Sequence, residues 1–341
     1  MRRPTMRDIA RKAGVGTATV DRVLNGRAPV RQRTAERVLA AADELNYHAR
    51  RVIHRRVEAM SPQATLGFIL QKEGKWFYRA LAASIRSAAG AVAKLRASVE
   101  IRFVESLSPT VLADALLGMA ERSDAVAMVS VDHPRISEAI AKCTDASVPV
   151  LAMLSQLDSP HIAGFVGVDG RKAGRTAGWF MTRAAGSRPE VGLLVGSHRY
   201  LGHEAQELGF RGYMREFAPD TRLHDSPIIL DDAEVAYEAT TELLTLNPGI
   251  TGLYHCGGGA TGVISALREL DRARSTFYIC HGRSPATKQA LLDGVVDVTI
   301  ASPVDAIAQR VVDSMVLHLT GKGHEMSRTP LDFQLITAEN L

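Results

Sequence analysis

The residues able to carry covalent chemistry are few and poorly spaced for it. Cys143, Cys256 and Cys280 are scattered and odd in number. They supply neither a disulfide framework nor a metal-ligand set, and a reducing cytoplasm is the simple expectation. His203-Glu204 and His281 form no obvious metal constellation. No HExxH, Cys-x-x-Cys or nucleophile elbow occurs. Gly257-Gly258-Gly259 is followed by no Gly-Lys-Ser/Thr and lacks the dinucleotide spacing, so it reads as a strand-to-helix turn where backbone approaches a ligand. No catalytic residue, metal or cofactor is assigned. What is concentrated is arginine. Residues 1–60 hold 14 Lys and Arg against 6 Asp and Glu, a balance of +8, whereas the other 281 residues hold 27 against 31, a balance of −4. A basic head of that density favours a polyphosphate partner, because each neutralised phosphate releases a condensed counterion.

The head carries the signals of ordered helices. Thr5 followed three residues later by Asp8 makes a capping box, with Asp8 also suited to the positive end of the helix dipole. Met6, Ile9, Ala10 and Ala13 repeat at helical spacing, and Gly14 supplies the stop. Val15 turns inward. A second helix starts near Thr17 with Val20, Val23 and Leu24 on its apolar face, and Asn25-Gly26 ends it. A third, from about Gln32 to Leu45, lines up Ala35, Val38, Leu39, Ala42 and Leu45. Two short helices joined by a tight glycine turn, with a third beneath, make a helix-turn-helix.

The run TMRDIARKAGVGTATVDRVLNGRAPVRQRTAERVLAAADELNY resembles the DNA-binding domain of the LacI/GalR family without a gap over about 45 residues. The resemblance implies a double-stranded DNA partner, with the second helix in the major groove. By position it makes Thr17, Ala18 and Arg22 base readers; Arg22 suits a bidentate contact to guanine. It makes Thr5, Thr19, Asn25, Thr34, Tyr47 and Arg50 further DNA-binding residues, chiefly to phosphate. Gly16 and Asp21 stand where the family has serines, and Asp21 repels phosphate unless it pairs with Arg22, Arg27 or a cytosine amino group.

The linker 48–62 departs further. The family places here a hinge helix that folds on DNA and wedges a leucine into the minor groove. Counting from Tyr47, Arg56 holds the leucine position and Ala49-Arg50 the Pro-Asn start. Arginine favours a narrow minor groove electrostatically; Ile53 or Val57 can substitute for the leucine only in another register, and a merely soluble basic linker is the other reading. Ser61-Pro62 closes the segment.

A chain of 341 residues exceeds one core, and the expected division is 1–47, 48–62 and 63–341. No stretch approaches the roughly 20 apolar residues of a membrane span, and the N-terminus has no apolar h-region. After Pro62 buried-strand runs appear at 66–70, 99–104, 125–130, 148–154 and 165–168, and again at 191–195, 228–230, 252–255, 276–280 and 297–300. Helical stretches such as 80–95 and 111–122 lie between them. The expected fold class is therefore a small all-α helix-turn-helix domain followed by α/β, with two doubly wound parallel-sheet lobes. That body resembles the type I periplasmic-binding-protein core, most closely at Val131-Asp132-His133-Pro134, Val148-Pro149-Val150 and Phe165-Val166-Gly167-Val168-Asp169. The resemblance implies chain crossings between lobes near Gly170, near Pro303 and near the C-terminus, with the helix 304–319 returning to the first lobe.

Ligands of such folds bind outside the carboxyl ends of the strands, here between the lobes. The lining candidates are Asp132, Asp169, Gln206, His255, His281 and Arg283. Gln206 replaces a family arginine, His281-Gly282-Arg283 an acidic residue and His255 an asparagine, which removes the strongest charge-assisted options for a sugar. The expected function is a cytoplasmic, sequence-specific repressor that binds a palindromic operator as a homodimer, controlled by a small-molecule effector such as a sugar or sugar derivative. A degenerate cleft answering to a partner protein or a non-sugar metabolite is one alternative, and an enzyme of sugar metabolism with an appended DNA head is another. No C-terminal leucine heptad follows, so a tetramer by that route is not expected.

Overall fold

The computed structural model describes residues 3–60, 63–92, 95–184, 190–325 and 330–341. The chain divides into two compact units, Met1–Thr65 with Ala89–Ser98, and Leu66–Ala88 with Val99–Leu341.

In the head, α1 (Met6–Ala13), α2 (Thr17–Asn25), α3 (Gln32–Glu44) and α4 (Arg50–Met60) follow one another. Asp8 Oδ2 accepts from the Thr5 backbone N–H at 2.8 Å and from its hydroxyl at 2.7 Å, which fixes the start of α1. Gly14, at φ 62°, ends it, and the Arg37 guanidinium reaches the freed carbonyls of Ala13 and Gly14. The core joins Ile9, Ala10, Ala13, Val20, Val23, Ala35, Val38, Ala41 and Ala42. The 3.6-residue period found in the sequence is thus the buried stripe of each helix. Ile53 and Val57 of α4 belong to the same core, at 0% and 5% exposure. The linker is therefore a fourth helix of the head. Neither apolar residue is presented for insertion between bases, which corrects the alternative register. The Ser61-Pro62 boundary lies outside the described residues.

The body holds two sheets. The first orders its strands β2 (Arg96–Val104), β1 (Gln63–Gln71), β3 (Ala125–Met128), β4 (Val150–Met153) and β5 (Gly164–Val166). The pairs from β1 through β5 are parallel, with Leu66 opposite Ala125 and Leu151 opposite Gly164. The helices of this lobe are α5 (Trp76–Gly90), α6 (Pro109–Ala120) and α7 (Pro134–Asp145). Strands β3 and β4 are buried at every residue, as expected of a parallel sheet covered on both faces.

The chain crosses at α8 (Gly170–Ala184) and builds β6 (Glu190–Val195), α9 (Leu201–Phe217), β7 (Arg222–Asp225), α10 (Ala233–Leu246), β8 (Ile250–Cys256), α11 (Ala260–Glu269), β9 (Phe277–His281), α12 (Pro285–Leu292) and β10 (Val298–Ala301). It crosses back at Pro303 into α13 (Val304–Leu319), which packs on β3, β4 and β5 of the first lobe. A last strand, β11 (Gln334–Ile336), returns to the second sheet, ordered β11-β10-β9-β8-β6-β7. All three expected crossings are present.

Three expectations change. Residues 228–230 are not a strand; β7 lies earlier, at Arg222–Asp225. Ile229 is wholly buried and its N–H reaches the Val195 carbonyl at 3.0 Å, so the apolar run is a core anchor. Leu230 and Asp231 leave it with φ of 53° and 54°, which no strand accommodates. The first body helix starts at Trp76 rather than Ala80, and β11 is antiparallel to β10.

Candidate DNA-binding head and inter-lobe cleft

Residues 17, 18, 21, 22 and 25 share one face of α2 through helical spacing. Thr17, Ala18, Arg22 and Asn25 are exposed there, while Val20 and Val23 hold the opposite face in the core. Asp21 is neutralised within this surface. Its Oδ2 lies 3.7 Å from Arg27 Nη1 and its Oδ1 accepts from Asn25 Nδ2 at 2.6 Å. The partner is thus one of the arginines the sequence offered, and the Asn25 amide is turned along the helix. Thr5, Thr19, Thr34 and Arg50 are half-buried and Arg56 is exposed. Tyr47, in contrast, is 5% exposed and packs in the head core, so its ring serves packing rather than an open contact surface. Arg56 lies against the end of α2: a Cβ added at Gly26, whose φ is 65°, would meet the guanidinium at 3.1 Å.

In the body, the carboxyl ends of the strands bring the two lobes together. The Asp132 N–H, just past β3, donates to the Arg199 carbonyl at 2.9 Å. The Gly202 N–H, in the first turn of α9, donates to Ser155 Oγ at 3.1 Å. Lys72 Nζ, just past β1, donates to the Leu230 carbonyl at 3.3 Å. Lys72, Leu154, Leu230 and Asp231 at or beside these contacts all have positive φ, a backbone region that non-glycine residues enter at a cost of order 1 kcal/mol or more.

Among the described residues, the buried polar atoms with no hydrogen-bond partner include Gln71 Oε1 next to Lys72, His203 Nδ1 and Gln206 Oε1 of α9, and Arg283 Nε just past β9; His203 Nδ1 lies 4.0 Å from Asp231 Oδ1. Gln206 is held inward because α8 and α9 cross closely; a Cβ on Gly174 would collide with the Gln206 carbonyl. His281 closes β9, and its Nε2 is 2.9 Å from the Tyr254 hydroxyl. Burial, reinforced by the neighbouring His255 and His203, pushes its pKa down to about 3. Asp231 Oδ1 accepts the Gly258 N–H at 2.6 Å, so the approach to the glycine turn is made by the chain's own carboxylate. Tyr78 and Tyr200 stand near Asp231; burial first, then that carboxylate among the charges, holds both phenols above their ordinary range.

Of the expected lining residues, Asp132 lies at this seam, Gln206 lies in α9, and His281 and Arg283 lie at and just past the end of β9. Asp132 Oδ1 also accepts the Asp158 N–H at 2.8 Å. Asp169 follows β5 and accepts the Lys172 N–H at 3.0 Å, capping α8. His255 does not line the cleft. It is 0% exposed, its Nδ1 lies 3.1 Å from the Tyr278 hydroxyl and its Nε2 2.8 Å from the Gly258 carbonyl, and burial lowers its pKa to about 4. Gln71, Lys72, Tyr78, Tyr200, His203 and Asp231 were missed. Tyr78 was hidden by the late start given to the first body helix. Asp231 was hidden by the strand expected at 228–230.

A helix-turn-helix head followed by two doubly wound lobes defines a class of transcription regulators. Residues 5–49 match the bacterial regulatory proteins of the lacI family, and residues 88–323 match a periplasmic binding protein domain. A helix-turn-helix transcriptional regulator from the aml 5' region of Streptomyces limosus, itself uncharacterized, is 26% identical over 344 residues, covering 97% of this chain and 92% of that protein. The helix-turn-helix transcriptional repressor PurR of Vibrio campbellii is 38% identical over 74 residues, 22% of each chain. Among solved structures, the body resembles an Agrobacterium vitis transporter solute-binding protein bound with α-D-tagatopyranose, with TM-score 0.74 and 18% identity over 81% of this chain and 95% of that one. It also resembles an Actinobacillus succinogenes counterpart with bound D-allose, with TM-score 0.74 and 18% identity over 82% and 99%. At that identity the likeness is one of fold. The chain belongs to the LacI family and is a DNA-binding transcriptional regulator with a periplasmic-binding-protein-like body; the matched families are regulators and solute-binding domains, not enzymes.

Proposed function

We propose that the protein is a repressor that binds a palindromic operator as a homodimer in the cytoplasm and changes its affinity when a small polyhydroxylated ligand enters the inter-lobe cleft. The observation that carries the effector half is the set of buried polar atoms of Gln71, Gln206 and Arg283 that have no hydrogen-bond partner among the described residues. Each costs about 1–3 kcal/mol while unpaired, and a ligand with several hydroxyls offers both donors and acceptors. Asp132, Asp169, His281 and Arg283 complete the proposed lining. The DNA half rests on the exposed face of α2, with Thr17, Ala18 and Arg22 reading bases and Thr5, Thr19, Asn25, Thr34, Arg50 and Arg56 contacting the backbone. A dimer follows from size: one small head buries limited DNA surface, whereas two read two half-sites.

The test is a thermal-shift screen of the purified protein against sugars, sugar acids, polyols and sugar phosphates. A saturable rise in Tm, abolished in Gln206→Ala, supports the cleft as an effector site. A flat screen with operator binding intact removes the sugar-type effector and favours control by a partner protein.

A further inference from the structure

At the carboxyl ends of β6 and β8 the backbone forms a cradle around one side chain. Gly196 follows β6, and Gly257 and Gly258 follow β8. The Gly196 N–H donates to the Cys256 carbonyl at 2.8 Å, which ties the two strand ends together. The Asp231 carboxylate fills the space they leave. Its Oδ1 accepts the Gly258 N–H at 2.6 Å. A Cβ added at Gly196 would collide with that oxygen, one at Gly257 would meet it at 2.6 Å, and one at Gly258 would meet the Asp231 Cβ at 3.0 Å. His203 Nδ1 stands 4.0 Å from the same oxygen.

The segment that delivers Asp231 is anchored at its ends and strained in the middle. Ile229 is wholly buried, and Asp232 caps α10 by accepting the Glu234 and Val235 N–H groups at 2.8 and 3.2 Å. Between them Leu230 and Asp231 have φ of 53° and 54°, a region that non-glycine residues enter at a cost. Leu230 is 51% exposed, so burial of its side chain does little to offset that cost. The seated carboxylate and the Lys72 hydrogen bond to the Leu230 carbonyl, at 3.3 Å, hold the segment down. Doubly wound lobes take their ligands at strand ends of this kind, and this one already holds an acid, the chain's own.

We infer that the cradle is a carboxylate-binding subsite of the cleft, that Asp231 is its tethered occupant in the ligand-free protein, and that the effector is a small hydroxylated acid whose carboxylate takes Asp231's place. The Gly258 N–H then passes from one carboxylate to another, and the 230–231 segment relaxes. A neutral hydroxyl is a weaker acceptor than the carboxylate it would have to displace. Release of the segment also frees Lys72, just past β1 of the first lobe, from the Leu230 carbonyl of the second, so filling the cradle alters a link between lobes. The acid class rests on the reading of the cleft as an effector site, whereas the tethered carboxylate does not.

The experiment has two arms on the full-length protein. Hydrogen exchange without ligand reads the tether. Asp231→Ala is expected to speed exchange at Gly258 by about tenfold or more, as loss of a hydrogen bond to a charged acceptor implies, with Val263 and Ile264 of α11 unchanged. An unaltered rate at Gly258 overturns the seated carboxylate. Titration calorimetry reads the ligand class, with D-gluconate and D-galacturonate as probes beside D-glucose and D-galactose. At least one acid is expected to bind while its neutral counterpart does not. Asp231→Ala is expected to tighten that acid by about tenfold or more, because the competing state is gone. Asp231→Asn, which keeps the side-chain shape and removes the charge, is expected to move both readouts the same way and serves where the alanine variant fails to fold. Weaker binding in both variants makes Asp231 a ligand contact and overturns the displacement. Neutral sugars that bind as well as the acids overturn the acid class and leave the effector reading standing. Silence from every probe counts against the effector reading and the acid class together, with the exchange arm still deciding the tether.

Discussion

Arg22 stands exposed on the recognition face with no acidic partner among the described contacts other than the surface already occupied by Asp21, Asn25 and Arg27. Its guanidinium fork matches guanine, and a bidentate pair of that kind discriminates by about 1–3 kcal/mol. Arg22→Ala is therefore expected to flatten base preference at one position of each half-site in a binding-site selection, with random-sequence binding reduced far less. Equal losses on all sequences would reassign Arg22 to phosphate. His255 makes a second residue-scale prediction. Burial depresses its native pKa to about 4 from an unfolded 6.5, so the unfolded chain takes up the proton first as pH falls. Its contribution to stability is complete above about pH 6.5 and is lost progressively from there towards pH 4. His281, held at about 3, adds to the same acid limb. The Tm measured between pH 7.5 and 5 is expected to fall, and less steeply in His255→Gln; identical slopes in the two proteins would remove His255 as the cause.

At the scale of the element, the head helices were legible because each has a full set of local signals: a cap at Thr5, a 3.6-residue apolar stripe and a glycine stop. Helix α4 was not, since its apolar pair Ile53 and Val57 is a short stripe among arginines and its partners lie on α2 and α3. Its packing predicts a measurable cost. Ile53→Ala removes a wholly buried side chain, and the expected destabilisation of the head is about 2–5 kcal/mol, read as a lowered Tm of the head transition. A neutral result would mean that α4 leaves the core in solution. The misplaced 228–230 strand has a related cause. Its apolar residues satisfy a strand pattern, yet Ile229 alone is buried, and the chain turns through two left-handed residues immediately afterwards.

For the molecule as a whole, backbone and side-chain hydrogen bonds link the lobes at the strand ends. Such bonds each contribute about 0.5–1.5 kcal/mol net, so lobe closure is a balance that a ligand can shift. Ser155→Ala removes the acceptor of the Gly202 N–H and is expected to speed exchange at Gly202 and, through loosening of the 197–202 segment, at Asp132. Unchanged exchange at both amides would show that this contact does not hold the lobes.

The amino-acid sequence by itself determined the three helices of the DNA-binding head and all but one of the expected buried strands, whereas the three lobe crossings came from its resemblance to a known core. The helices and strands depend on local periodicity, on caps and on the obligation of parallel strands to be apolar on both faces. It also placed Asp132, His281 and Arg283 at or just past strand ends, where ligand sites of doubly wound sheets lie. Only the tertiary structure decided that His255 is a buried hydrogen-bonded residue, that Asp231 fills the approach to Gly258, and that the linker is a helix of the head. Each depends on a partner distant in sequence: Tyr278 for His255, the glycine turn for Asp231, Gly26 and Asp43 for α4. Burial and pairing of that kind are set by how elements meet, which no local spacing encodes.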